Sequence, residues 1–303
     1  MIELTRCDEL IKQFEQLHKL KVHKIPLEYF DGRRVLLLMC KCSGVWTDLP
    51  FCSEGYVQTC EEEGAKYPFK FVESQDGNLF CSKNIKWQIR DTRVWSNNVY
   101  ADKVNFRINI DCDNPITNPD VRRKIHKAQS LGIEVRQGKE ELLKDLYKVY
   151  VRRMYELGSP ASGKSALLKW VRQPNHTFFV AYHNQKPIGV ATLSQRDSQS
   201  CENGLFSTDI RYNKLYPSYL LHHSMITYAQ ANGMKAYYFG RSTRGSSVYR
   251  YKMHYRPTEV QLYWSSSYPA KNIRQNGLAK KLWRLLPFWL AKLIGPIINK
   301  YIY

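Results

Sequence analysis

Apolar positions follow two periods along this chain, and the period changes from one stretch to the next. Spacings of three and four residues predict helices. They fall at 10–20, between Asn118 and Gly132, and at 142–157, 166–171 and 217–232. Alternation with polar residues, or a short continuous apolar run, predicts strands. These fall at 35–39, 85–90, 105–110, 177–182, 188–193, 204–210, 236–239 and 259–264. The sequence therefore predicts a mixed α/β protein whose second half runs ααβββαβ, a loop and a last strand.

The helix after Asn118 has clear end signals and one strongly basic face. Asn118 suits the N-cap, Pro119 the first turn and Gly132 the end. Basic residues cluster within two turns of its polar side: Arg122, Arg123, Lys124, His126 and Lys127. Such a cluster either binds a phosphate-bearing partner or forms an ordinary solvated helix face.

The segment after Gly277 is amphipathic, and its charges are all positive. Leu, Ile and Trp recur on both sides of a break at Pro287, and no acidic residue follows Glu259. This pattern is typical of a helix on an anionic membrane surface, although a helix pair docked on the protein body would also show it. The longest plain apolar run, 35–40, is far shorter than the roughly 20 residues of a transmembrane helix.

Composition indicates a folded protein with polyanionic partners. The 303 residues suffice for two domains, and 43% hydrophobic with 24% charged residues excludes disordered or collagen-like chains. Lys and Arg number 46 against 27 Asp and Glu, which gives a formal net charge of +19. Nucleic acid, acidic lipid or a phosphorylated ligand is the expected partner.

The eight cysteines match no metal template, because they include no Cys-x-x-Cys pair and no neighbouring His ligands. The N-terminal residues lack a secretory pattern, so reduced cytosolic thiols are predicted. One alternative is a metal held within a single segment by Cys40, Cys42, Cys52 and Cys60.

Four segments resemble a known family. They are Leu49-Pro-Phe, the basic run 121–135 with its closing Ala-x-x-x-Gly, residues 151–160, and 239–252, which begins Phe-Gly-Arg-Ser-Thr. Over residues 30–300 or so the chain resembles the FemAB family, and most nearly its branch associated with exosortase (PEP-CTERM) exopolysaccharide systems. The element order of the second half is also that of a GNAT-type N-acyltransferase, which is a likeness of fold alone.

The resemblance implies tandem GNAT-like domains over residues 1–138 and 139–268, followed by the amphipathic basic tail over 269–303. It implies an acyltransferase that forms an amide on an amino group of an envelope glycan, peptide or exopolysaccharide precursor. The donor would be a CoA or carrier-protein thioester or an aminoacyl-tRNA, with no permanently bound cofactor and no metal. The protein would work in the cytoplasm, at the inner face of the cell membrane. A basic RNA-binding module and a non-catalytic scaffold of polysaccharide assembly are the alternatives.

The polar segment 241–249 follows a predicted strand, and such loops often carry functional residues. The resemblance selects Arg241, Ser242, Tyr249 and Lys252 as catalytic-site residues. Arg241 would clamp a phosphate or carboxylate, and Ser242 would hydrogen-bond the substrate. Tyr249 and Lys252 would donate to the developing oxyanion. The neighbouring Thr243 and Arg244 are further candidates for binding substrate or donor.

Both kinds of donor carry phosphates, which suit a helix N-terminus and fixed cations. Asn213, Ser218 and Tyr219, at the start of the helix from Pro217, are the candidates there. The usual Gln/Arg-x-x-Gly-x-Gly/Ala signature is missing at this position. For an aminoacyl-tRNA the candidates lie on the basic helix: Arg122, Arg123 and Lys127.

An ammonium acceptor must lose a proton, which favours a base that titrates near neutral pH. Four side chains are candidates for this base: Asp209, His222, His223 and His254. A substrate phosphate or a water molecule would serve as well.

Overall fold

This computed structural model describes residues 11–12, 14–16, 20–29, 34–42, 44–48, 57–58, 69–71, 85–92, 94–269 and 277–299. Residues 11–12 and 14–16 are helical, within the predicted first helix. The Leu49-Pro-Phe segment lies outside the described residues, as do Cys7, Cys52, Cys60 and Cys81.

The described strands and helices follow one another along the chain. The strands are β1 (Val22–Tyr29), β2 (Arg34–Cys42), β3 (Val45–Asp48), β4 (Val57–Gln58), β5 (Phe69–Phe71), β6 (Trp87–Asp91), β7 (Asn98–Asn109), β8 (Ile133–Gly138), β9 (His176–His183), β10 (Lys186–Gln195), β11 (Ser200–Thr208), β12 (Ala236–Tyr238), β13 (Ser242–Thr243) and β14 (Thr258–Ser266). The helices are α1 (Pro119–Ser130), α2 (Leu143–Glu156), α3 (Lys164–Val171), α4 (Pro217–Ala231), α5 (Ser247–Met253), α6 (Gly277–Leu285) and α7 (Phe288–Asn299). Short 3₁₀ helices occupy Glu140–Leu142 and Ile210–Leu215.

One mixed sheet contains these strands in the order β5-β1-β2-β3-β6-β14-β7-β12-β11-β10-β9-β8, with β4 beside β2 and β13 beside β7. The late strand β14 inserts between two early ones, so that Tyr263 lies opposite Asp91 and Thr258 opposite Arg107. Strand β7 also pairs with β12. The two halves of the chain are therefore joined in a continuous sheet, and the fold is mixed α/β as predicted.

Helices cover both faces of the sheet, and β9 shows why. Phe178 and Val180 point into the core formed with α2 and α3, whereas Phe179 and Ala181 point into the core formed with α1 and α4. Side chains alternate between the two faces of a strand, so a strand buried on both sides reads as a continuous apolar run. Leu146 of α2 and Leu221 of α4 are fully buried, one on each face.

Helix α1 and strand β8 pack with the second half of the chain. Val121 and Ile125 of α1 belong to the same core as α4, and β8 pairs with β9 from Ile133 opposite His183 onwards. The boundary expected at 138/139 falls directly after β8, between elements that share this sheet. Packing groups α1 and β8 with the strands that follow them, and the domain boundary stays a prediction.

Most predicted elements are confirmed within one or two residues, and the differences have local causes. Strand β7 begins at Asn98, seven residues before the predicted start, because its first residues face solvent and lack an apolar pattern. Strand β8 was missed in the element order because it is short and only its first residue is buried. Segment 241–249 is not a plain loop. It contains β13 and the start of α5, joined at Gly245.

The tail forms α6 and α7, which pack against the body of the protein. The Tyr155 hydroxyl of α2 donates to the carbonyl oxygens of Arg284 and Leu286, at 3.0 and 2.7 Å. Among the described helices, none combines the length and the apolar character needed to cross a bilayer. Three of the described cysteines are free thiols: Cys42, Cys112 and Cys201.

Candidate active site

The parallel strands β11 and β12 separate soon after they begin. They pair only over three positions, from Ser200 opposite Ala236 to Glu202 opposite Tyr238. Beyond this point the chain follows β7 through Phe239 to β13, while β11 continues beside β10. The divergence leaves a cleft in the sheet, and its apex lies beside Glu202.

Gly240 closes the apex of this cleft. Its φ is +76°, and a Cβ at this position would lie 2.8 Å from the carbonyl oxygen of Asn203. A side chain would be strained by the backbone angle and would collide with fixed backbone. The glycine of the Phe-Gly-Arg-Ser-Thr segment therefore has a steric role at the point where the strands separate.

Lys252 on α5 reaches this apex from within the protein. Its Nζ donates to the carbonyl oxygens of Gly240 at 2.6 Å and Arg241 at 3.2 Å, and only 6% of the residue is exposed. Burial lowers the pKa of Lys252 to about 7, with Glu202 opposing and Arg241 adding to the effect. The amine can therefore exchange a proton near neutral pH.

Glu202 and Asn105 form the polar wall beside Lys252. The Asn105 amide donates to Glu202 Oε1 at 3.3 Å, and Arg196 lies 3.5 Å from Glu202 Oε2. Neither Glu202 nor Asn105 was predicted from the sequence, because they lie on separate strands and belong to no motif. Only the sheet pairing brings them to the apex.

Ser242 follows Arg241 in the chain and begins β13, and its hydroxyl is buried. Ser242 is 5% exposed, and its Oγ has no hydrogen-bond partner among the described residues. A buried hydroxyl without a partner is costly and uncommon, so it calls for an explanation. The hydrogen bond to substrate predicted for Ser242 stays a prediction.

The other residues of segment 241–252 contact protein groups. Arg241 lies over the Trp264 ring, at 5.8 Å from its centroid. Thr243 accepts from Lys103, and Arg244 pairs with Glu259 at 3.2 Å. The Tyr249 hydroxyl donates to Glu259 as well, and this bond raises the pKa of Tyr249. Tyr249 is thus committed to Glu259 in this structure rather than pointing to an oxyanion.

The predicted donor-binding residues lie at the start of α4. Tyr216 has a left-handed backbone (φ 60°) immediately before the helix. The Tyr219 hydroxyl lies 3.0 Å from His254 Nδ1 and 3.4 Å from Lys124 Nζ, and Ser218 hydrogen-bonds Tyr251. Asn213 is exposed, with its Oδ1 3.4 Å from Thr208 Oγ1. Tyr219 therefore contacts α1, and Ser218 contacts α5, the helix that also carries Lys252.

Two of the base candidates have fixed protein partners. Asp209 caps the 3₁₀ helix Ile210–Leu215 and accepts two hydrogen bonds from the Arg211 guanidinium, which lower its pKa. His222 is 1% exposed, stacks on Phe206 and bonds the Tyr237 hydroxyl at 2.8 Å. Burial holds the pKa of His222 well below its usual value.

The other two histidines lie outside the cleft apex. Burial lowers the pKa of His223, and the charge of His126 on α1 adds to this effect. His254 follows α5, and its backbone carbonyl accepts from Asn118 while its ring meets Tyr219. The arrangement makes Lys252, which was predicted only as a hydrogen-bond donor, the better-placed group for proton transfer.

The basic face of α1 is partly neutralised by its own acidic residue. Arg123 and Lys124 both pair with Asp120, at 2.5 and 2.6 Å. Arg122 donates to the carbonyl oxygens of residues 116 and 117, so it also supports the start of the helix. Lys127 is exposed and lies over the Tyr216 ring at 5.8 Å. The face borders the start of α4, where the donor was expected.

No His, Cys, Asp or Glu group that could hold a metal ion occurs among the residues whose positions are described. The described groups at the cleft apex are ordinary side chains and backbone carbonyls. They include a proton-exchanging amine, a buried hydroxyl and nearby carboxylate and amide groups.

Comparison with known proteins agrees with this geometry. Residues 118–253 match the family described as "Acetyltransferase (GNAT) domain". The match begins at the N-cap of α1 and ends at the last residue of α5. It thus includes the cleft, Lys252 and α1. No curated protein sequence is a significant match to the chain.

Three solved structures share the fold along nearly the whole chain. FemX has a TM-score of 0.56 and 11% identity, covering 92% of this chain and 94% of its own. L-PGS from Bacillus licheniformis has a TM-score of 0.56 and 10% identity, covering 91% and 96%. The C-terminal domain of a protein assigned as a lysylphosphatidylglycerol synthetase from Agrobacterium fabrum has a TM-score of 0.54 and 10% identity, covering 91% and 92%.

At these identities the likeness shows a common fold and not a common substrate. The sequence match is what identifies the kind of domain, and it covers β11, β12 and Lys252. Residues 118–253 therefore match a GNAT-type acetyltransferase domain, and the protein is an acyltransferase.

Proposed function

We propose that this acyltransferase forms an amide on an amino group of a cell-envelope or exopolysaccharide precursor. The observation that carries the proposal is the position of Lys252, a buried amine at the apex of the cleft within the GNAT domain. The resemblance of segment 239–252 to the FemAB family supports an amino group as the acceptor. Amide formation needs a proton acceptor and an oxyanion site, but no metal.

The reaction would use Lys252 as a base. A neutral lysine amine has two N–H groups, which match the two carbonyl oxygens of Gly240 and Arg241, and its lone pair remains available. The acceptor nitrogen attacks the donor carbonyl carbon, and its proton passes to Lys252. When the tetrahedral intermediate collapses, the bond to the leaving sulfur or oxygen breaks. That atom then takes the proton back from the Lys252 ammonium, which returns the amine to its neutral form.

Ser242 would act on the same intermediate as a hydrogen-bond donor. Its buried hydroxyl has no protein partner among the described residues, so it can turn toward a substrate oxygen without losing a bond. Arg241, one residue before it, would hold an anionic part of the donor or acceptor. Both roles are those predicted for these residues from the sequence.

For the donor we favour an aminoacyl-tRNA over a thioester. The cationic face of α1, with exposed Arg123 and Lys127, borders the start of α4 and suits a long polyanion. The usual pyrophosphate signature of CoA-binding GNAT domains is absent before α4. The name of the Agrobacterium fabrum protein also describes a lysyl group on a lipid, which is an aminoacyl product.

The deciding experiment compares donors on the purified full chain across a salt series. One arm measures filter binding of a bulk tRNA pool, charged against deacylated, because a protein of this charge binds any RNA at low salt. The other arm measures release of free thiol from acetyl-CoA with an amino-sugar or peptide amine. We expect the protein to prefer charged tRNA at physiological salt. If thiol is released from acetyl-CoA and Lys252→Met abolishes this release, the donor is a thioester and not an aminoacyl-tRNA.

The alternative functions predict different results in the same assay. A plain RNA-binding module binds charged and deacylated tRNA equally and releases no thiol. A scaffold of polysaccharide assembly does neither, and its recruitment to the membrane survives Arg241→Ala and Lys252→Ala. Either pattern would overturn the transfer reaction. A site of action at the inner face of the cell membrane belongs to the proposal, since that is where an envelope precursor would be met.

A further inference from the structure

The helices α6 and α7 have two different faces, one docked and one bare. On the docked face Trp283 and Ala291 are buried, and the Gly158 backbone lies directly against Lys280. Asn299 donates to Ser162 at 2.8 Å. These contacts fix both helices on α2 and the segment after it, so that their opposite faces are held in a defined orientation.

The bare face is strongly apolar. Large side chains at helical spacing are more than half exposed: Leu282 (57%), Leu285 (78%), Trp289 (67%), Leu293 (66%) and Ile297 (58%). Single exposed apolar residues are ordinary, but an adjoining row of large ones marks an interaction surface. We call these five residues the tail ridge.

The charges around the tail ridge specify its partner. Lys281 and Lys292 are exposed on the two helices, and Arg284 donates to a backbone carbonyl at residue 157 while its side chain remains at the surface. No acidic residue occurs anywhere after Glu259. A protein partner of ordinary composition would not require this one-sided charge. Apolar residues framed only by cations match the acyl chains and headgroups of an anionic bilayer.

The tail ridge also lies toward a particular end of the catalytic domain. Helix α6 docks where α2 ends, beside Tyr155 and Gly158. Glu156 at the same end interacts electrostatically with Arg211, in the 3₁₀ helix that follows β11. The surface is thus on the side where β11 leaves the cleft, and a bound bilayer would lie near that side.

We propose that the tail ridge is a membrane-docking surface that inserts into the interfacial layer of an anionic bilayer, with Lys281 and Lys292 at the headgroups. This deepens the proposed function and rests on it, because it gives the enzyme a lipid partner on the side of its cleft. The docked faces of α6 and α7 stay on α2, so binding requires no unfolding of the tail. Peripheral insertion, not spanning, is the mode of attachment.

The test uses flotation of the full chain with vesicles of phosphatidylglycerol and phosphatidylcholine, compared with phosphatidylcholine alone. Wild type is expected to float with the anionic vesicles at physiological salt and much less with the neutral ones. Leu285→Glu combined with Trp289→Glu should weaken binding at least tenfold, and Lys281→Gln combined with Lys292→Gln should weaken it less and flatten its salt dependence. Leu131→Glu, an exposed leucine at the end of α1, is the matched control and should bind like wild type.

Several results would overturn the proposal. Undiminished flotation of the Leu285→Glu, Trp289→Glu variant would assign binding to another basic surface, and absence of flotation by wild type would remove the membrane partner. A dimer in solution that this variant disrupts would assign the ridge to a second copy of the chain. If the double variant does not fold, flotation of the single variant Leu285→Gln is measured in its place. Flotation needs no acyl donor, so this test and that of the transfer reaction fail independently.

Discussion

The side-chain nitrogen of Lys252 lies 2.6 Å from the carbonyl oxygen of Gly240, the glycine that closes the apex of the cleft between β11 and β12. The bond joins α5 to the point where the two strands separate. It also places an amine of lowered pKa, about 7, at the cleft apex, where the proposed amide-bond formation would need a proton acceptor. The predictions below follow from this relationship and from its surroundings.

Lys252→Met is expected to lower turnover by about 10²- to 10⁴-fold, the usual contribution of a positioned acid or base. Lys252→Arg should fail to nearly the same extent, because an arginine does not lose its proton near neutral pH. Steady-state kinetics measure the turnover of both variants, and a donor-binding assay shows whether they still bind the donor. If Lys252→Arg restores most of the turnover, Lys252 acts as a fixed cation beside the oxyanion, as the sequence first suggested.

Stability should rise with pH between about 7 and 9. The unfolded chain keeps Lys252 protonated up to its usual pKa of about 10.4. The folded protein releases this proton near pH 7. Because the unfolded state then binds more protons, raising the pH favours folding, and below pH 7 the cost of the buried ammonium is fully present. Urea unfolding at pH 7, 8 and 9 measures this slope, which Lys252→Met should remove.

Gly240→Ala should destabilise the fold by about 2–4 kcal/mol, as the sum of left-handed backbone strain and a collision with fixed backbone. Gly245 is the matched control, because its φ is +75° and nothing lies within 4 Å of the added Cβ. Gly245→Ala should therefore cost only the backbone strain, about 1 kcal/mol. Equal losses from the two variants in denaturant unfolding would mean that the contact with Asn203 relaxes freely.

Ser242→Ala should leave stability unchanged or slightly improved, because it removes a buried hydroxyl that has no described partner. Its kcat/KM should nevertheless fall about tenfold, the value of a lost hydrogen bond to substrate. Ser246→Ala is the control variant, in which stability is expected to fall. It removes the N-cap bond to Tyr249 at 3.1 Å and should cost about 1 kcal/mol of stability. A destabilised Ser242→Ala with normal kinetics would contradict a substrate role.

The basic face of α1 should contribute to donor binding by neutralising phosphates. Replacing Arg122, Arg123 and Lys127 with Gln is expected to weaken tRNA binding and to reduce the slope of log K against log salt by as much as about 1 for each phosphate that is no longer neutralised. Lys169→Gln, an exposed cation on α3 across the sheet, should leave the slope unchanged. A triple variant with the wild-type slope would exclude α1 from the phosphate site.

Local signals determined much of this fold before any tertiary structure was known. Asn118 accepts a hydrogen bond from the backbone N–H of Asp120, Gly132 has a φ of +74°, and the helix between them is α1 as predicted. The turn between β9 and β10 likewise has positive φ at Asn184 and Gln185, which two-residue hairpins require. Caps and turns are satisfied by neighbours in sequence, so the sequence alone specifies them.

The sequence of the tail did not determine which of its apolar residues would be buried. Its pattern was consistent with either a membrane helix or a helix pair docked on the body. In the structure one face is docked on α2, and the tail ridge is bare. Which apolar residues belong to which face depends on the shape of α2 and of the Gly158 turn, and neither can be read from the tail itself.

The candidate site divides in the same way. The segment 239–252 made Arg241, Ser242 and Lys252 candidate site residues, but a residue type does not state its surroundings. Glu202, whose charge acts on Lys252, meets Asn105 only because β11 and β7 flank β12 in the sheet. The pKa of Lys252 depends on burial by those strands. Sequence therefore determined the elements and the kind of chemistry. Tertiary packing decided which side chains meet, because long-range strand pairing sets their distances and removes water from between them.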